Sequence, residues 1–148
     1  MARSRINSPS KDVMKDNGSV LVSIIEGEQV HMDVTLGWLT NLTGYTITPK
    51  IVEGDMTDLD SDGYPNYVKS GGQVRTLTVL DSDVTDNEFK IVIPEDLIAL
   101  WATQPTPEKP TYGWIGLEVA DIATGSEQQI WKPLRGLVEV LFSPSEEV

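Results

Sequence analysis

The residues best suited to chemistry lie in one run: Asp58-Leu59-Asp60-Ser61-Asp62-Gly63-Tyr64-Pro65-Asn66. Three carboxylates at alternate positions, followed by a glycine, match the first half of a calcium loop. Hard oxygen ligands suit a hard cation, and the glycine permits a sharp turn. The run also looks like the DxDxDGxPN element of thrombospondin-type calcium repeats. Position twelve of such a loop calls for a bidentate acid, and Lys69 stands there. No second repeat follows. The competing reading is an acidic loop that faces water, so the pattern assigns no metal ligand by itself.

Other chemistry finds little support. His31 is the only histidine and there are no cysteines, so the His/Cys ligand sets of zinc sites cannot be assembled and disulfides are excluded. His31 falls on the polar side of an alternating stretch and is expected at the surface. No G-x-S-x-G motif accompanies it. With 23 acidic residues some carboxylates must neighbour each other, but nothing singles out a catalytic pair. The expectation is therefore no catalytic residue, no cofactor and no enzymatic activity. Among the four tryptophans, Trp101 reads as core and Trp38 as a cap over the end of the core. Trp114 is out of phase with Ile115 and Leu117. It either faces outward, as an interface anchor or a sugar platform, or packs under the proline-rich linker at 103–110.

These side chains need elements to hold them. In residues 29–36, Val30, Met32, Val34 and Leu36 alternate with Gln29, His31, Asp33 and Thr35, the period of a half-buried strand. After a break at 37–44, Tyr45, Ile47 and Ile51 resume the alternation, and the two strands are expected to seed an antiparallel sheet. Pro49 lacks a backbone donor, which predicts an edge strand or a bulge. Further strands are expected at 19–25, 75–80, around Phe89, Ile91 and Ile93, and at 111–121, 128–132 and 136–142. Residues 54–73 form a long insertion. Pro94 followed by Leu97, Ile98 and Trp101 predicts a short helix plugging one open end. Seven or eight strands at this spacing read as an all-β antiparallel sandwich.

Charge and length bound the rest. The 148 residues suit one domain at 19–143, with an extended N-terminal arm at 1–18 and a short acidic tail at 144–148. The arm holds four basic and two acidic residues, so it carries +2 and the remainder −14 of the −12 total. So acidic a body is repelled by nucleic-acid phosphates and by anionic membranes, and neither is expected as a partner. No apolar run approaches the roughly 20 residues that span a bilayer. The first 18 residues lack the apolar centre of a secretory signal, so synthesis in the cytoplasm is expected. Residues 1–18 are too polar to order alone, so they read either as a disordered tail or as an arm that orders against a neighbouring subunit, and the arm is the expectation.

The order of features carries a resemblance. IIEGEQVHMDV is followed by LTNLTGYTITPKI, FKIVIPEDL and TYGWIGLEVADIATGSEQQIWKPLRGLVEV. This is similar to the immunoglobulin-like domain at the N-terminus of phage baseplate upper proteins and of related tail and fibre proteins. Leu42, Thr43, Gly44 and Tyr45 match its "dLTGatv" strand start. Tyr112, Glu118, Gly125, Gly136, Val138 and Val140 match its later strands. The resemblance covers about residues 20–142. It departs at Gly27-Glu28, where an aspartate is usual, and in the insertion at 54–73. It implies an immunoglobulin-like sandwich in a phage virion structural protein, a tail, baseplate or fibre-attachment module assembled in the host cytoplasm. Family members often continue into fibre or receptor-binding domains. This chain ends at Val148, so an adaptor role is expected over receptor binding. Implied partners are other virion proteins and further copies of the chain, met through the arm and the sheet faces. A capsid decoration protein is the structural alternative. A calcium-assisted carbohydrate-binding module, using Trp114 or Trp131 with Asp58, Asp60 and Asp62, is the alternative of another class.

Overall fold

Alternation decides which way each strand turns its side chains. In the computed structural model, which describes residues 3–8, 20–80, 85–123 and 125–144, Val30, Met32, Val34 and Leu36 are buried while the residues between them stay half-exposed. In chain order the strands are β1 (Arg3–Ser8), β2 (Val20–Ile25), β3 (Val30–Leu36), β4 (Tyr45–Glu53) and β5 (Val74–Thr76). They continue with β6 (Thr78–Leu80), β7 (Glu88–Ile93), β8 (Thr111–Asp121) and β9 (Ile130–Leu141). Two sheets result, ordered β1-β3-β7-β6 and β2-β9-β8-β4-β5. Their facing sides supply one apolar interior, with Phe89, Ile91 and Ile93 of β7 opposite Ile51, Ile115, Leu117 and Val119 of the larger sheet. The all-β sandwich is thus the fold. Among the described residues no helix is long and apolar enough to cross a membrane.

Several local expectations are corrected. The strands 29–36 and 45–52 do not pair: β3 hydrogen-bonds to β7, and β4 to β8 in the other sheet. The connection at 37–44 crosses the end of the sandwich, where Leu42 is buried and Trp38 and Leu39 pack against the core. The expected strand 75–80 is two strands. The chain leaves one sheet and enters the other at Leu77, whose side chain is buried and whose N–H reaches Pro49 O at 2.9 Å. That bond also explains Pro49. The N–H and C=O of one residue point to the same side of a strand. The missing donor of Pro49 therefore faces the side where β5 has already ended, and costs no bond to β8.

The expected helix after Pro94 is a run of turns. Leu97, Ala99 and Trp101 donate to the Pro94, Asp96 and Ile98 carbonyls at 3.0–3.1 Å, each bond closing its own four-residue turn. Gln104 Nε2 donates to the Ile98 and Trp101 carbonyls at 2.8 and 2.9 Å, and Glu53 Oε2 accepts from Ala102 N at 2.9 Å. So short a segment cannot offset the cost of helix nucleation, and outside partners take its polar groups instead. Leu97, Ile98 and Trp101 are nonetheless buried, as the spacing implied. A 3₁₀ turn stands at Gly125–Glu127.

The segments 128–132 and 136–142 join in β9. Opposite Leu117 and Val119 its register slips: Leu117 faces Leu134, but Val119 faces Trp131. The extra residue on β9 is a bulge, and it reverses the in–out parity of what precedes it. Trp131 therefore packs on the core while Lys132 faces out. At the chain's start, β1 lies parallel to β3 and β2 parallel to β9, so the leading segment closes an edge of each sheet. Positions 3–8 of the expected arm are thus a strand on the chain's own sheet. Positions 1–2 and 9–18, with 81–84 and the tail at 145–148, lie outside the described residues.

Candidate interaction face

The outward sides of the two sheets differ in kind. On the smaller sheet, His31, Asp33 and Thr35 of β3 alternate with the core positions, and Lys90 Nζ lies 3.7 Å from Asp33 Oδ1. His31 sits here, on the sheet opposite the one that carries Trp114. On the larger sheet the same alternation presents Tyr112, Trp114, Gly116 and Glu118 of β8. Across the ladders these stand beside Leu137 and Glu139 of β9 and Lys50 and Val52 of β4. Tyr112 and Leu137 are buried although they point away from the core.

The insertion explains part of that cover. Residues 54–69 fold as a hairpin continuing β4, with bridges Gly54–Val68 and Leu59–Pro65. Asp60 N donates to Tyr64 O at 2.8 Å, which leaves a three-residue tip of Ser61, Asp62 and Gly63. Gly63 at φ 88° takes the left-handed conformation that closes such a tip. The hairpin then leans back on the sheet. Tyr64 meets Tyr112 edge-to-face at 5.2 Å, and Pro65 lies so near Gly54 that a Cβ on that glycine would fall 2.6 Å from the proline Cγ.

This geometry reassigns the acidic run. Asp60 Oδ1 accepts from Asp62 N at 2.9 Å and Tyr64 N at 3.0 Å, and Asp58 Oδ1 accepts from Asn66 Nδ2 at 2.9 Å. Two of the three carboxylates thus hold the hairpin's own shape. Among the described residues no three acidic or histidine side chains form a group that could hold a metal ion. Asp55 works likewise: the Thr57 hydroxyl and then the Thr57 N–H stabilise its carboxylate and lower its pKa.

Between hairpin and sheet lies a groove of about 630 Å³. Trp114, Val52 and Gly116 form its floor, Tyr67 and Val68 of the hairpin one wall, and Lys132 stands at the far end. The absence of a side chain at Gly116 deepens it. Tyr67, Val68 and Val74 stand 64%, 50% and 62% exposed around it, an unusual density of large apolar groups in water. Trp114 therefore points outward, as its phase implied, but it lies under the hairpin and not under the linker. Trp131 is elsewhere, in tilted ring contact with Trp38 and Tyr45 at 5.2 and 5.9 Å, so the two tryptophans of the sugar-binding alternative do not share a site.

Beyond the groove, the Tyr112 hydroxyl donates to Glu139 Oε2 at 2.9 Å and the Ser23 hydroxyl to Glu139 Oε1 at 2.8 Å, tying β8, β9 and β2 together. Burial first, and then the bond to Glu139, push the Tyr112 hydroxyl up to about 12. The hairpin wall and the Glu139 cluster escaped the sequence reading. Their one visible signal was Tyr112, Trp114 and Val52 at positions that a one-sided strand gives to polar residues.

A search of solved structures finds a similar chain in the N-terminal domain of phage TP901-1 ORF48, at a TM-score of 0.44 and 7% identity. The match covers 95% of this chain and 99% of that one. The likeness is distant. No family model and no curated protein matches the sequence.

Proposed function

We propose that this protein is a phage virion structural protein, working as an assembly module of the tail or baseplate. The observation that carries the reading is the outward face of β4, β5, β8 and β9. It offers Trp114, Val52 and Val74 where the opposite face offers His31, Asp33 and Lys90. A rigid sheet with a walled apolar groove suits protein contact. The ordered sequence features shared with baseplate upper proteins point to the particle in which that contact is made. The edge strands from the leading segment add a second means of attachment, since a strand edge can be completed by a neighbour. Catalysis has no part in this role.

Mass spectrometry of purified phage particles tests the reading, and the chain is expected among the virion proteins. Its absence ends the proposal. Antibody labelling at the head and not the tail transfers it to capsid decoration.

A further inference from the structure

The hairpin and the groove it walls have opposite charge. Asp62 stands exposed at the tip with Asp58 and Asp60 exposed on the arm just below it, and Lys50 and Lys132 are exposed along the groove with Glu118 as its one acid. They also lie at opposite ends of one face. The hairpin springs from Glu53, in register with Gly113, whereas Lys132 is beside the Leu117–Val119 slip. Five residues of extended strand separate these levels, roughly 17 Å, so a tip cannot serve its own Lys132.

Resting on the assembly reading above, we propose that this face is where two copies of the chain dimerise. The occupant of each groove is the hairpin of the other copy. A two-fold axis lying in the contact plane and crossing the strands reverses their direction. It carries each acidic tip to the other copy's Lys132 and brings Tyr67, Val68 and Val74 of both copies together. Apolar contact supplies the association, while the charges set the register and forbid the parallel arrangement, in which tip would meet tip. The insertion at 54–73 thereby gains a role that its failed match to a calcium loop left open.

Sedimentation equilibrium of the purified full-length chain tests this, with circular dichroism confirming that each variant folds. The wild type is expected to be a dimer at micromolar concentration. Val74→Asp, at an exposed edge position, is expected to weaken association at least tenfold. Asp62→Lys alone and Lys132→Glu alone place like charges opposite each other and weaken it less. An equimolar mixture of those two variants is expected to recover a dimer, because each tip then meets an opposite charge. A monomeric wild type, or a dimer indifferent to Val74→Asp, or no recovery on mixing, overturns the proposal. A monomer found in virions leaves the structural role standing and removes only the dimer.

Discussion

The two outer faces are built on the same alternation and reach opposite results. On β3 the outward positions are His31, Asp33 and Thr35, half-exposed, with Lys90 beside Asp33 and Glu88 beside Thr35. On β8 they are Tyr112, Trp114 and Gly116, and the hairpin covers part of them. A period of two states only that a strand has two sides. The residue types on the second side tell whether it meets solvent or protein, and among the described residues it is the larger sheet whose second side is partly covered.

Substitutions can break or sharpen this contrast. The largest effect is expected where the larger sheet rests on the core: a Cβ at Gly113 would collide with the Trp101 ring and lie 2.8 Å from Val52 O. Gly113→Ala is expected to cost about 3 kcal/mol in urea unfolding, the upper range for overpacking. Next comes Trp114→Ala, which empties the groove floor and is expected to cost about 2 kcal/mol, below the range for a fully buried aromatic. A cost under about 0.5 kcal/mol, the size of an ordinary surface change, would put Trp114 on a face no different from that of β3.

Alkaline pH gives a third test. The Tyr112 hydroxyl is raised to about 12, so its neutral form is favoured in the folded chain. Its contribution is present below the ordinary tyrosine value of about 10 and lost as pH rises from there through about 12. The wild type is expected to lose more stability across that window than Tyr112→Phe, measured by denaturation midpoints. Smallest is Lys90→Ala on the polar face. The pair with Asp33 at 3.7 Å is partly exposed, and a change within about 0.5 kcal/mol is expected.

The alternation in β3, the core side of β7 and the burial of Leu97, Ile98 and Trp101 could be read from the sequence, because burial follows directly from apolar spacing. Strand partnership could not. Residues 37–44 look like a hairpin turn but cross between sheets, and only the cover given by Leu42 and Trp38 at the sandwich end distinguishes the two. The division at Leu77 hides inside a continuous alternation, since a strand that changes sheets keeps its period. The acidic run is ambiguous for a different reason. Alternating aspartates that ligate an ion and alternating aspartates that hold a loop's own amides are written with the same letters, and here Asp60 binds backbone N–H groups while Asp58 binds the Asn66 side chain. The bulge in β9 leaves no mark beyond Pro133, and it alone decides that Trp131 is inside and Lys132 outside.

The parallel pairing of β2 with β9 has a mechanical consequence. Six residue pairs run from Val20–Gly136 to Ile25–Leu141, so the backbone enters that ladder at one end and departs at the other. A pull applied between residues 20 and 141 slides the two strands lengthwise and strains every rung together. An antiparallel closure would let them unzip one after another, and this body therefore resists stretching along its own axis more firmly than its modest size implies.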